Sequence, residues 1–258
     1  LDREGRFIRA TSARSESFDS LQMRPYSLAV LPDIDRVVST STDMLADYGA
    51  HLQIWRLSDL SLLQTIERPT TSHSDGHSHE APAKSKGEDH HLFPGEPRAL
   101  PDGRTVLLAT FTCGFYRVTD IDGPSPRVEF LRAFGGENCA VPVLVGSLWL
   151  QTVPDEHAVV GLDVSDPAHP REVSRVTFDS TFMPHWMAFD EGGSRLVVND
   201  GKRRLFLVDL DRRTAGLRIE ESFRDSAAAG PGVSLDRPGW PHGTTGPAAP
   251  HGSVFSRP

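Results

Sequence analysis

The sequence predicts an all-β protein, a β-propeller with four-stranded blades, and three observations carry this prediction. First, four segments begin alike, and most of them place a short apolar strand, a turn and a second apolar strand in that order. Second, each segment continues into a third strand that ends at an acidic residue, and then into a fourth strand. Third, the 258 residues include 22 glycines and 20 prolines, and no window keeps a 3.6-residue apolar period.

The first two strands of each blade define the repeat. The turns PDID, PDG and DEGG separate these strands in the first, second and fourth segments. A further segment, PHGSVFSRP from Pro250, begins in the same way. The four segments read PYSLAVLPDIDRVVSTS from Pro25, PGEPRALPDGRTVLLATF from Pro94, CAVPVLVGSLWLQTV from Cys139 and PHWMAFDEGGSRLVVND from Pro184.

The third strands give the length of the repeat. The last two intervals between their acidic residues are 46 and 45 residues, and the first is 61 because it contains a His-rich stretch. Four short strands in about 45 residues are typical of a propeller blade. A β-sandwich is the alternative fold, but sandwich strands rarely repeat one turn chemistry at a fixed distance. The third strands end at Asp59, Asp120, Asp166 and Asp211.

Both ends of the sequence read as parts of further blades. The N-terminal LDREGRFIRATS is similar to the acidic step and fourth strand around Asp211, and VFSRP at 254–258 is similar to a first strand. We therefore predict about four complete blades plus two partial ones. Residues 1–258 would form a single propeller domain, the C-terminal part of a larger ring, with a flexible His-rich insert at 70–91. This chain by itself would then expose unpaired strand edges.

Composition excludes several classes of protein. The net charge of −8 gives no basic footprint for nucleic acid, and no apolar run is long enough to span a membrane. The sequence does not begin with a basic and apolar leader. We expect a soluble protein, and both the periplasm and the cytoplasm are possible locations. The common signatures of serine hydrolases, P-loop NTPases, nicotinamide enzymes and HExxH metalloenzymes are absent from the sequence.

One repeat position suggests a metal site. The first strands of a propeller begin around its central channel, so residues at one repeat position converge there. His185 and His251 both follow the starting proline, and Glu96 stands one place later in its own blade. Neutral imidazole binds Cu, Zn, Fe and Ni, and a carboxylate can complete such a site. We predict His185 and His251 as metal ligands and all three residues as catalytic; the alternative is that the histidines only cap strand starts.

Three more histidines are candidate ligands. His242 lies in the loop WPHGTTGPAAPHG, whose glycines and prolines could present imidazoles inward or simply form a rigid closing tail. His90 and His91 end the His-rich insert, just before the strand that starts at Pro94. Short His-rich tracts can bind transition metals, but Ser, Gly, Lys, Glu and Asp make the rest of this insert a solvated loop.

The two cysteines, Cys113 and Cys139, are candidate soft ligands. A thiolate in an accessible, electropositive setting could bind selenium or a soft metal. Two alternatives are open: Cys113 is a small buried residue, or the two form a disulfide, which spacing does not decide.

The block at 36–66 resembles the selenium-binding protein family, whose members include methanethiol oxidases. The matching elements are Val38-Ser39-Thr40, Tyr48-Gly49-Ala50-His51-Leu52, Ile54-Trp55 and Leu63-Gln64-Thr65-Ile66. Pro94–Arg98 and Asp163–Pro170 are similar to two further family elements, whereas Ser41 and Arg56-Leu57 depart from the pattern. The resemblance implies a propeller fold, a copper-type site built from histidines, oxidation of small thiols such as methanethiol, and selenium held by a cysteine.

Two other functions fit the same fold, because a fold does not determine function. The first is a non-catalytic propeller that serves as a platform for proteins or small ligands, with its −8 charge selecting basic partners. The second is a lactonase-type hydrolase, which would need a ring of acidic and histidine side chains at the channel.

Overall fold

The computed structural model describes residues 4–14, 23–43, 48–67, 93–226, 230–240, 243–244 and 246–255. The predicted His-rich insert at 70–91 lies outside these residues. In the described part of the chain, β-strands dominate, and no helix is long and apolar enough to cross a membrane.

The first sheet has the strand order that the repeat predicts, with each strand antiparallel to the next. A 3-10 turn over Pro32–Ile34 joins its first two strands and ends at Asp35, which adopts a left-handed conformation. Proline fixes the backbone at the start of this turn, and aspartate tolerates its end. The Asp35 carboxylate also accepts two hydrogen bonds from Ser58, at 2.7 and 2.8 Å. The strands are β1 (Pro25–Leu31), β2 (Arg36–Asp43), β3 (Tyr48–Arg56) and β4 (Leu62–Glu67).

The second sheet repeats this meander. Its Pro-Asp-Gly turn is closed by Asp102, whose carboxylate accepts hydrogen bonds from the Thr105 hydroxyl and from the backbone N–H of Arg104. Gly103 has a φ of +67°, a left-handed conformation that favours glycine. The strands are β5 (Pro94–Ala99), β6 (Val106–Thr110), β7 (Gly114–Thr119) and β8 (Arg127–Ala133).

The third and fourth sheets follow the same order. A 3-10 turn over Pro154–Glu156 ends at a left-handed His157, as the equivalent turn of the first sheet ends at Asp35. The third sheet comprises β9 (Val143–Val145), β10 (Leu148–Val153), β11 (Ala158–Asp163) and β12 (Arg171–Thr177). The fourth comprises β13 (Trp186–Asp190), β14 (Arg195–Asn199), β15 (Arg204–Asp211) and β16 (Gly216–Ile219).

Two features follow the fourth sheet. The short strand β17 (Val233–Ser234) pairs with the beginning of β15. The strands β18 (Gly239–Trp240) and β19 (Gly243–Thr244) form a small hairpin where the sequence suggested only a loop.

The chain divides into two compact units, and each has its own apolar core. Unit 1 comprises Leu1–Thr110 and Phe115–Phe130, and unit 2 comprises Phe111–Gly114 and Leu131–Pro258. That residues 1–258 form a single propeller domain stays a prediction. The core of unit 1 includes Leu31, Val38, Leu52, Leu108 and Tyr116; that of unit 2 includes Val159, Phe182, Leu196, Val198 and Phe206.

A threonine near the end of a second strand binds the start of the next first strand in each unit. In unit 1 the Thr42 hydroxyl donates to the buried carbonyl of Pro94, at 2.8 Å. In unit 2 the Thr152 hydroxyl is 3.4 Å from the carbonyl of His185 and 3.2 Å from that of Val141. Because Thr42 and Thr152 are buried, these bonds satisfy polar groups away from water.

The two partial blades predicted at the ends are not seen as strands. Residues 5–14 make no ladder within the described chain, and Phe7 and Ile8 are 73% and 63% exposed. Val254 and Phe255 also lie outside any strand, and 256–258 lie outside the described residues. The apolar pattern suggested strands, but a strand needs a backbone ladder with a neighbour. Residues 5–14 instead contact the first sheet through side chains: Arg9 donates to the carbonyl of Asp59, and Gln53 donates to that of Ala13.

We expect Thr42→Val to lower the free energy of unfolding by about 1–3 kcal/mol, because the isosteric change leaves the buried Pro94 carbonyl without its donor. Thr42→Ser keeps the hydroxyl and should cost much less. Urea unfolding of the three proteins measures the difference. A valine variant as stable as the wild type would show that this hydrogen bond does not stabilise the fold.

Candidate functional site

The side chains of His185 and His251 lie against each other in unit 2. Their ring centroids are 5.1 Å apart, with an angle of 56° between the ring planes. His185 is half-buried directly before β13, whereas His251 is exposed in the segment at 246–255. The indole of Trp186 is also near, with its centroid 6.4 Å from that of His251. The aromatic side chains of His185, Trp186 and His251 therefore form one cluster.

The backbone of His185 is held from two sides. Its N–H donates to the carbonyl of Asn199, at 2.8 Å, and its carbonyl accepts from the N–H of Val141, at 3.1 Å. The Thr152 hydroxyl adds a contact to the same carbonyl. Strand pairing thus fixes the main chain, and the imidazole projects from a rigid base.

Two glycines leave space for these rings. A Cβ at Gly201 would lie 3.1 Å from Cδ2 of His185, and the φ of +63° also favours glycine there. A Cβ at Gly252 would lie 3.2 Å from Cε2 of Trp186. Both contacts are tighter than ordinary packing, so larger residues would push the rings away. Sequence reasoning did not identify either glycine, because the need for space arises only in the folded chain.

Electrostatics favour a neutral His185. Burial lowers its pKa below the usual 6.5, and the positive charge that His251 can carry lowers it further. Neutral imidazole is the form that binds a metal, so His185 needs to lose no proton at neutral pH.

Asn199 is a further residue of this region that sequence reasoning missed. It is fully buried, and its Oδ1 accepts a hydrogen bond from the N–H of Gly201, at 3.1 Å. Its Nδ2 is buried and has no hydrogen-bond partner within the described residues. The available signal was its place at the end of a second strand, close to the place that Thr152 has in the third sheet.

Glu96 lies on β5 in unit 1, where its carboxylate forms an ion pair with Arg98 of the same strand. Burial, and then the charge of Glu96, raise the pKa of Tyr26. The structure therefore gives Glu96 a local ion-pairing role. Its catalytic role beside the histidines stays a prediction.

The remaining predicted ligands are His242, His90 and His91, and all three lie outside the described residues. Within the residues that the structure describes, no group of three or more His, Cys, Asp or Glu side chains is arranged to hold a metal. The described part of the candidate site is therefore a pair of imidazoles.

Cys113 and Cys139 form a disulfide in unit 2, with a Cα–Cα distance of 5.0 Å. Around it, the N–H of Cys139 donates to the carbonyl of Phe111, and the N–H of Phe134 donates to that of Cys113, both at 2.9 Å. Neither residue is a free thiol in this structure. Because both sulfurs are bonded, the predicted selenium or thiol role would first require reduction.

We expect an NMR pH titration of the metal-free protein to give His185 a pKa below 6.5, and His251→Asn to raise it because the nearby charge is removed. The unfolded state then binds the proton more readily, so the contribution of His185 to stability is lost as the pH falls below about 6.5. His169→Gln is the control, since His169 is an exposed partner of Asp166. An unchanged His185 pKa in His251→Asn would contradict the proposed coupling.

We expect unreduced, denatured protein to contain no reactive thiol and reduced protein to contain two, as measured with a thiol reagent. Replacing both cysteines by alanine should lower the free energy of unfolding by about 2–4 kcal/mol, because the bond closes a loop with a separation of 26 residues. Two reactive thiols before reduction would restore the soft-ligand prediction.

No protein-family model matches the chain, and no curated protein matches its sequence. Solved structures do match. A hypothetical selenium-binding protein from Sulfolobus tokodaii has a TM-score of 0.59 at 13% identity, over 77% of this chain and 54% of its own. The periplasmic gluconolactonase of Pseudomonas aeruginosa has a TM-score of 0.55 at 14% identity, over 76% of this chain and 53% of the gluconolactonase chain. The Cps50 (Swd1) β-propeller domain of Myceliophteria thermophila has a TM-score of 0.52 at 14% identity, over 78% of this chain and 59% of the matched domain's chain.

These likenesses show the fold. The chain spans a little over half the length of the structures it matches. At such low identity the matches do not separate the selenium-binding, lactonase and WD40 types. The all-β prediction is confirmed: this chain has the β-propeller fold.

Proposed function

We propose that this protein binds a transition metal through His185 and His251 and is a copper-dependent oxidase of small thiols such as methanethiol. One observation carries the metal site: two Pro-His steps at the same repeat position place their rings 5.1 Å apart. The oxidase activity rests on the sequence resemblance to selenium-binding proteins. The fold is compatible with it.

The geometry of the pair fits a shared ion. A metal–imidazole bond is about 2.0–2.1 Å long, which puts the metal roughly 3 Å from each ring centroid and separates two such centroids by about 4.5–6 Å. The separation of 5.1 Å lies in this range. The lowered pKa of His185 keeps that imidazole in its ligating form.

The other parts of the site are assigned from the sequence. We propose His242 as the source of a further ligand, whereas the roles of His90, His91 and Glu96, which belong to unit 1, stay predictions from the sequence. Copper, when bound, would supply the one-electron chemistry that moves electrons from a thiolate to O₂. The chain holds His185 through its backbone, and the exposed His251 leaves one side open for a small substrate.

The disulfide is informative about the cellular location of the protein. Disulfides persist in oxidising compartments and are rare in the cytosol. Of the two locations that the sequence leaves open, the Cys113–Cys139 bond favours the periplasmic one.

We expect elemental analysis of the untagged protein to give about one copper per chain, and the His185→Ala/His251→Ala double variant to lose it. His169→Ala is the matched control, because His169 is an exposed histidine that pairs with Asp166 and should leave the metal in place. Consumption of methanethiol and O₂ by the copper-loaded protein then tests the oxidase.

Each outcome decides between functions. Equal copper in the wild type and the double variant would overturn the assignment of the two histidines. Stoichiometric zinc that depends on them would keep the metal site and replace the oxidase with hydrolysis or a structural role. No metal in any of the proteins would favour the alternative of a non-catalytic binding platform.

A further inference from the structure

Unit 2 contains a cavity that the proposed function does not use. It has a volume of about 490 Å³ and lies between the end of β12, the start of β15 and the segment Gly230–Ser234. Pockets for small ligands usually measure about 300–1,000 Å³. We propose that this cavity binds a small molecule that has an apolar or aromatic body and one protonated amine.

Aromatic side chains form the floor of the cavity. Phe178 and Phe206 line it, are almost fully buried, and have ring centroids 5.0 Å apart. Phe182 supports Phe206 from behind, with its centroid 4.6 Å away. Ile219 and Val233 add aliphatic surface to the lining. A ligand would gain free energy mainly by covering the half-buried Ile219 and Val233, because the two phenylalanine rings are already almost fully buried.

Arg204 closes one side but is not an anion site. Its guanidinium lies over the rings of Phe206 and Phe182, at 5.0 and 5.6 Å from their centroids. Its two terminal nitrogens donate to the two carboxylate oxygens of Asp179, at 3.0 and 2.7 Å. This pairing strongly lowers the pKa of Asp179, so the two opposite charges stay together and offset each other.

Asp225 is the lining carboxylate with acceptor capacity to spare. One oxygen accepts a hydrogen bond from the N–H of Ser234, at 2.8 Å. The other forms an ion pair with Arg237 at 3.8 Å, which is beyond hydrogen-bond distance, and the guanidinium of Arg237 also stacks on Trp240. A carboxylate offers about four acceptor positions, so Asp225 can accept more donors. An ammonium group matches both its charge and its acceptors.

The wall beside the aromatic floor is already in place. Gly232 has a φ of +91°, and a Cβ there would lie 2.9 Å from the ring of Phe206, so the backbone rests directly on that ring. The pairing of Val233 and Ser234 with β15 holds this segment. A preformed pocket costs little to organise when the ligand binds.

Three probes of one size but different charge test the proposal: benzylammonium, benzyl alcohol and benzoate, each titrated into the full protein by NMR. We expect benzylammonium to bind with a dissociation constant on the order of 1 mM. Benzyl alcohol should bind several-fold more weakly, and benzoate should not bind. The order of the three follows from the charge of Asp225.

Two variants locate the site. Asp225→Asn keeps an oxygen for the N–H of Ser234 and should weaken benzylammonium about tenfold while leaving benzyl alcohol unchanged. Asp236→Asn is the matched control, since Asp236 pairs with Arg203 and does not line the cavity. Ile219→Trp fills the cavity and should abolish binding of both probes, with folding checked by thermal unfolding.

Three results would overturn the proposal. They are equal binding of the three probes, unchanged benzylammonium affinity in Asp225→Asn, and no binding of benzylammonium to the folded wild type. The metal analysis of His185 and His251 is independent of this test, because neither residue lines the cavity.

Discussion

The candidate site depends on a hydrogen bond between the end of one second strand and the beginning of the next first strand. In unit 2, Thr152 makes this contact with the carbonyl of His185, while Asn199 accepts from the N–H of the same residue. Thr42 and Pro94 repeat the contact in unit 1. A four-stranded meander leaves its first strand at an edge, so an interaction across sheets must fix where that strand begins. The same interaction that joins sheets therefore also fixes the residues at their tips.

The strands of the four complete blades could be predicted because their turns are encoded locally. Proline and aspartate form the turns that end at Asp35 and His157, and these turns need no distant partner. Strand pairing at the ends is different. The apolar residues of 5–14 and 254–255 suggested strands, but ladder hydrogen bonds depend on a neighbouring strand, which local composition does not reveal. The hairpin around Gly239–Thr244 was missed because each of its strands has only two residues.

The candidate site was predictable where the repeat determines position. His185 and His251 occupy the same step of their segments, and the structure brings their rings together. The repeat says nothing about the space that a ring needs, so Gly201 and Gly252 were not foreseen. It also gives no distance between the two cysteines, and for that reason the sequence left the disulfide open. The proximity of the two rings agrees with their shared repeat position, whereas the roles of His185, His251 and Glu96 stay predictions.

The fourth sheet differs from the third where the candidate site lies. Thr152, next to the end of its strand, has a hydroxyl that contacts two carbonyls. Asn199, at the end of the equivalent strand, has an amide nitrogen without an acceptor in the described part of the chain. A buried donor without an acceptor costs about 1–3 kcal/mol. The other end of the amide binds Gly201, which makes room for His185. The repeat therefore departs from its own pattern beside the histidine pair, whose role as metal ligands stays a proposal.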